Sequence, residues 1–285
     1  MTVHLPVVQA KLLPSRDNHN CRMTLSVSKA KTFQECQAKF KFCYIEKLPR
    51  VDQDFHIFGK YLHQILENFH AELMKNPERK SDWRPVMKEA WDSAYAEYNT
   101  QITGVQYKEA QKLIKEYEAI LEEEGIPEVT GVEKDFYISL DDKVLLNGFI
   151  DRIQIDKDGM IHVADYKTTK DPKYLKDYFQ LMTYCYALCL QDPSITKLRA
   201  SFILLRHSFD YLTQEFTRDE VLSVGEKFLK VASAIEEEKL WRANPQFLCK
   251  YCDYINQCKE GRGYLVKKGI LKQEKKVPTT GIRKW

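Results

Sequence analysis

Apolar residues recur along this chain with two periods, and the switch between them marks out its elements. Within residues 24–48, Phe33, Cys36, Phe40 and Cys43 recur at three- and four-residue intervals, which predicts a helix that Ser28 can cap. From Phe58 a second helix is predicted, with Leu62, Ile65, Leu66 and Phe69 as its buried stripe and His63 at the edge. Residues 76–124 read as two long amphipathic helices broken near Gly104. The first carries Trp83, Trp91, Tyr95 and Tyr98, whose rings suit a core, and Gly125 and Pro127 end the second.

Beyond Pro127 the period falls to two. Residues 128–140 form a strand with Val132, Phe136 and Ile138, joined by a turn at Asp141 and Asp142 to a strand that runs into Asp151. Residues 144–170 contain a hairpin around Lys157, Asp158 and Gly159, where glycine takes the left-handed conformation that a three-residue loop needs. A helix over residues 174–190, strands over 198–206 and 211–216, and a helix from the capping box Thr217 and Glu220 to about residue 240 complete the order. The sum is an α/β fold, a mixed central sheet flanked by helices, with a helical insert at about 76–125.

The hairpin fixes a register. Asp156 faces Met160, Ile155 faces Ile161, Ile153 faces Val163 and Asp151 faces Asp165. One face then holds Phe149, Ile153, Ile155, Ile161 and Val163, and also Asp151, Asp165 and Lys167. Opposed carboxylates beside an apolar row repel and lose hydration, and a divalent cation removes both objections. Two carboxylates suit Mg2+ or Mn2+, with Lys167 placed to stabilise charge on a phosphate. The alternative is a solvated hairpin edge where the acids pair with Lys167 and Arg152. Glu133 is either a further acid behind this site or a surface glutamate. Gln180 and Tyr184 lie one turn apart on one helix face and reach a common site, while Cys185 and Cys189 share an apolar ridge.

Composition narrows the compartment more than the partner. A net charge of +3 over 285 residues permits a polyanionic ligand without requiring one. No apolar run reaches membrane-spanning length and no signal peptide opens the chain, so a cytoplasmic protein is expected. Its eight cysteines are then metal ligands or core residues rather than disulfides. Cys249, Cys252 and Cys258 form a C-x2-C-x5-C triplet that can converge on one ion or cluster, with an iron–sulfur cluster, zinc and unliganded thiols as the three readings. After Cys258 the chain turns basic, a flexible tail that either attracts DNA or keeps the protein soluble. Lys39, Lys41 and Lys47 offer the same pair of readings. There is no G-x-x-x-x-G-K-(S/T) loop, so any helicase is another chain.

The run Gly148-Phe-Ile-Asp151-Arg-Ile, then Asp165-Tyr-Lys167-Thr, then Gln180 and Tyr184 four residues apart, resembles the PD-(D/E)XK nucleases and, within them, the RecB-like branch. The resemblance implies a restriction-endonuclease-like fold, Asp151 and Asp165 as metal ligands, the Tyr166 carbonyl as a further ligand, and Lys167 as the catalytic lysine with Gln180 and Tyr184 beside it. Gly59-x-x-Leu62-His63-x-x-Leu66-Glu67 is similar to the branch's upstream motif, which implies that His63 completes the metal site. The segment from Ser26 to Cys36 is similar to its opening motif, with Gln37 where a proline is usual. In the four-cysteine members, including the AddB nuclease domain and the CRISPR-adaptation exonucleases, this first cysteine closes a 4Fe-4S cluster. The implied set is Cys36, Cys249, Cys252 and Cys258, an iron–sulfur staple joining the N- and C-terminal segments.

The expected map is a flexible arm at 1–23 and a RecB-like domain at 24–258, its cluster segments at 28–46 and 245–258, followed by a basic tail at 259–285. The implied activity is Mg2+- or Mn2+-dependent exonuclease action on single-stranded or frayed DNA ends, in repair, recombination or CRISPR-spacer processing. A helicase or an adaptation or recombination protein is the implied partner. The alternative is a non-catalytic subunit that binds DNA ends.

Overall fold

The computed structural model describes residues 8–14, 22–50, 54–175 and 177–272. These fall into two compact units, Met1–Ala30 with Asp52–Glu237, and Lys31–Val51 with Glu238–Trp285.

The first unit is built on a seven-stranded sheet: β1 (Ala10–Leu13), β2 (Met23–Leu25), β3 (Glu128–Leu140), β4 (Val144–Ile155), β5 (Ile161–Lys167), β6 (Lys197–Leu204) and β7 (Asp210–Thr217). The order is β1-β3-β4-β5-β6-β7, with β2 pairing off the path against β4. The β3–β4 and β4–β5 pairs are antiparallel, and both turns fall where the sequence places them. Asp141 and Asp142 take φ of 48° and 51°, and Gly159 takes 80°. Ile153 pairs with Val163 and Ile155 with Ile161, the register expected from the turn. Strand β5 then runs parallel to β6, so the chain must cross over between them, and a helix does so.

Helices α1 (Val27–Glu35) and α2 (Gln37–Phe40) precede α3 (Asp54–Lys75), whose Phe58, Leu62, Ile65, Leu66 and Phe69 are almost wholly buried. The insert is α4 (Arg84–Tyr98) and α5 (Gly104–Glu124), the latter opened by a capping box between Thr103 and Gln106. These three helices share one core with Ala164 and Tyr166 of β5. Trp83 and Tyr98 belong to it, as the sequence suggests, whereas Tyr95 is 38% exposed. The crossover is α6 (Phe179–Gln191), in which Cys185 and Cys189 are completely buried.

Several boundaries differ from expectation for local reasons. Part of the anticipated loose arm is ordered, because β1 pairs with β3 and β2 with β4. The serine that accepts at the start of α1 is Ser26, through its Oγ from the Lys29 amide. The crossover helix begins at Phe179, not near 174, since Asp171 caps a separate turn at Pro172–Tyr174. The final long helix is divided into α7 (Arg218–Leu222) and α8 (Val224–Glu237) at Ser223, whose hydroxyl donates to the Glu220 carbonyl.

In the second unit the helix expected through Cys43 is interrupted. Cys36 is extended, at φ −162° and ψ 106°, which ends α1 and starts α2, and a wider turn covers Lys41–Ile45. The segment after Cys258 is not all tail: Lys259–Lys267 is a helix, α9. Residues 273–285 of the expected basic tail lie outside the described residues.

Candidate active site

Three adjacent strands bring acids to one level. The ladder pairs Val132 with Arg152 and Lys134 with Ile150, which leaves Glu133 opposite Asp151. On the other side the β4–β5 ladder ends at Arg152 against Ala164, just short of Asp151 and Asp165, and the Tyr166 amide reaches across to Asp151.

Helix α3 supplies the imidazole. At Gly59 a β-carbon would lie 3.2 Å from Thr168 Oγ1, so the bare glycine lets the helix approach the end of β5. One turn on, His63 Nδ1 sits 3.3 Å from Asp151 Oδ2, and the ring also hydrogen-bonds to the Tyr166 backbone. The Tyr166 amide donates to the same Asp151 oxygen at 2.9 Å. His63, Asp151 and Tyr166 therefore meet at one point, and ligand atoms of His63, Glu133 and Asp151 lie within 4.8 Å of one another.

Asp165, 2% exposed, is held from the other side. Its Oδ1 accepts from Gln180 Nε2 at 2.7 Å and from the Tyr184 hydroxyl at 3.3 Å. Its Oδ2 faces Lys167 Nζ as an ion pair but accepts no hydrogen bond. Lys167 Nζ in turn donates to Gln180 Oε1 at 3.0 Å. The structure thus brings His63, Asp151, Asp165, Lys167, Gln180 and Tyr184 together, and Glu133, one of whose two readings is an acid behind the site, lies beside His63 and Asp151.

The electrostatics follow from this crowding. Burial, and then the Asp165 charge, hold the Asp151 carboxyl well above the usual carboxylate range. Burial pushes Glu133 up as well, assisted by Glu67 and Asp165. Burial lowers His63, which favours the neutral imidazole that a metal needs. Raised acids beside a neutral imidazole fit a divalent cation, which would draw on His63, Asp151, Asp165 and the Tyr166 carbonyl.

Arg152 does not pair with these acids, contrary to the solvated-edge alternative. Its guanidinium is 1% exposed and donates to the hydroxyls of Tyr117, Tyr166 and Tyr211 at 3.5, 3.3 and 2.6 Å. Phe149 also departs from expectation. It lies on the apolar row yet is 51% exposed, two residues from Asp151. Glu133 was within reach of sequence reasoning, because counting back through the Asp141 turn from Asp151 arrives at it. What no pattern gives is its φ of 44°, a left-handed residue inside a strand.

In the second unit Cys36, Cys249, Cys252 and Cys258 line one cavity together with Lys39, Phe42, Pro245 and Ile255. A β-carbon on Gly261 would stand 3.2 Å from Cys258 Sγ and 3.6 Å from Cys249 Sγ, filling the space between them. The Gln246 and Gly261 amides each donate to a sulfur, of Cys249 and Cys258, at 3.3 Å. The four sequence-predicted cysteines thus line one cavity, with amide donors aimed at the sulfurs of Cys249 and Cys258. A sulfur-ligated group fits this donor set.

A fold of this kind with a His, Asp, Asp and Lys cluster at the strand ends defines a class. The chain belongs to the PD-(D/E)XK nuclease superfamily, whose family model matches residues 24–259. Among curated proteins it is similar to a subunit of the ATP-dependent helicase/deoxyribonuclease of Streptococcus pyogenes serotype M1, at 25% identity over 186 residues. The corresponding polypeptide of the serotype M3 strain SSI-1 is 24% identical over the same length. The match covers 58% of this chain and 16% of those proteins, so the chain spans about one sixth of their length. The solved structure of SSO0001 overlays with a TM-score of 0.31 at 12% identity, over 73% of this chain and 96% of that one. Among the described residues, no helix is long and apolar enough to cross a membrane.

Proposed function

We propose that this chain is a Mg2+- or Mn2+-dependent deoxyribonuclease, an exonuclease acting on single-stranded or frayed DNA ends. The observation that carries the reading is the convergence of His63, Asp151 and Asp165 with Lys167, whose ammonium is fixed by Asp165 and Gln180. When bound, the cation supplies Lewis-acid polarisation of the phosphodiester and makes water more acidic. Lys167 is positioned to stabilise the charge that builds on the phosphate while water displaces the leaving oxygen. Gln180 and Tyr184 keep Asp165 and Lys167 in place, and Asp151 is oriented by the Tyr166 amide.

Charge distribution supports DNA as the substrate. Lys31–Val51 and Glu238–Trp285 hold seventeen lysines and arginines against six acids, while the rest of the chain holds twenty-seven against thirty-five. On that basic unit Phe247 and Tyr251 are about half exposed, and Lys250 Nζ lies 3.8 and 4.6 Å from their ring centroids. Exposed rings with an interleaved lysine suit stacked bases and phosphates of a single strand. The four cysteines are proposed to hold a 4Fe-4S cluster. The C-x2-C-x5-C spacing and the presence of Cys36 on the same cavity support that reading. Similarity to part of a helicase/deoxyribonuclease supports a helicase-bearing or recombination partner for this chain.

End-labelled single- and double-stranded DNA incubated with Mn2+ tests the reading. Wild type is expected to shorten labelled strands, with Lys167→Ala slower by on the order of a hundredfold or more yet binding DNA within a few-fold. Binding without metal-dependent cleavage by the wild type selects the non-catalytic end-binding role instead.

A further inference from the structure

We propose that Glu133 is a direct ligand of the divalent cation, so that the protein's grip is a His63, Glu133 and Asp151 set reaching across from β3, beyond the ligands named above. The inference rests on the metal-nuclease reading and adds a residue to it. Cross-strand placement is the first ground: Glu133 falls opposite Asp151 on β4, between the pairs Val132 with Arg152 and Lys134 with Ile150. Ligand atoms of Glu133, Asp151 and His63 already lie within 4.8 Å of one another.

The second ground is what each oxygen lacks. The Glu133 carboxylate has no hydrogen-bond or ion-pair partner among the described residues, and the charged groups that act on it, Glu67 and Asp165, are both acidic. The nearby cation of the chain, Lys167, is engaged by Asp165 and Gln180. Asp165 meanwhile is 2% exposed, and its Oδ2 meets the Lys167 ammonium as an ion pair. Glu133 is thus the one carboxylate of the three without a donor among the described residues, and a half-buried carboxylate left so beside two other acids calls for a positive charge from outside the chain. One imidazole and two carboxylates match Mn2+ better than Mg2+, which prefers oxygen alone.

The backbone at Glu133 separates this role from a structural one. Its φ of 44° is a conformation that glycine adopts freely and glutamate does not. A residue kept there for stability is expected to weaken the fold when changed, whereas Glu133→Gly relieves the backbone and removes only the carboxylate.

Full-length wild type, Glu133→Gln and Glu133→Gly are titrated with Mn2+ alone by calorimetry, with free Mn2+ followed by electron paramagnetic resonance and melting followed without cation. The expected result is Mn2+ affinity at least tenfold weaker in both variants, with the cation-free Tm of Glu133→Gly equal to or above that of wild type. Variants that bind Mn2+ as tightly as wild type overturn the assignment of Glu133 alone. A wild type that binds no Mn2+ overturns the metal-nuclease reading beneath it, and a Glu133→Gly protein that melts lower while keeping its affinity shows a structural residue instead.

Discussion

The ring of Phe136 occupies the place where a side chain on Gly148 would begin: a β-carbon there would lie 2.6 Å from Cζ and 2.8 Å from Cε1. Gly148 and Phe136 face each other across β3 and β4, and the same ring packs edge-on to Tyr184 at 6.2 Å. The glycine three residues before Asp151 is thus there to admit a ring that braces a partner of Asp165. Gly148→Ala is expected to displace Phe136 and to destabilise the protein by about 1–3 kcal/mol. Differential scanning calorimetry would register a Tm lower by several degrees, and nuclease assays a rate loss larger than the stability loss explains. Adding Phe136→Leu should recover part of both; no recovery would mean that the ring is not what the alanine disturbs.

Cation-free protein should lose stability as pH rises. Asp151 is held well above the usual carboxylate range by burial and by Asp165, and Glu133 is raised by burial, Glu67 and Asp165. A carboxyl whose folded pKa exceeds its unfolded one binds its proton more tightly in the folded state. Its contribution is full below the unfolded value and is lost as pH climbs through the folded value. Melting without cation is expected to fall across that window. With Mn2+ the fall should be offset, increasingly so at higher pH, because the ion binds the ionised carboxylates of the folded protein. A Tm that climbs over the same window without cation contradicts the burial of these acids.

The cysteine cavity predicts an inventory. Protein purified without oxygen is expected to contain roughly four irons and four acid-labile sulfides per chain, and Cys36→Ser to lose most of both. Limited proteolysis should then cut Glu238–Trp285 faster in the variant than in wild type. One zinc per chain and no sulfide would replace the cluster with a structural ion.

What the sequence disclosed and what it withheld divide along a physical line. The hairpin register, Ile153 against Val163 and Ile155 against Ile161, followed from one turn and the strict period of two, which are local. Gln180 and Tyr184 followed equally from one helical turn. Strands β1 and β2 escaped because their stability comes from distant partners on β3 and β4, not from their own short patterns. A three- and four-residue spacing cannot distinguish an unbroken helix from one interrupted at Cys36, whose extended backbone turns the chain beside the cysteine cavity. Glu133 was legible as an acid behind the site or a surface glutamate, but the choice between them depends on a rare backbone angle and a neighbour on the next strand.

Arg206 grips Glu109 of α5 through two nitrogens, at 2.7 and 3.1 Å, and reaches the Thr168 carbonyl at 2.6 Å, while stacking over Phe58 of α3. The insert is therefore fastened to the residue next to Lys167. One guanidinium thus joins α3, α5 and the end of β5, so removing it would loosen the insert and the residue beside Lys167 together.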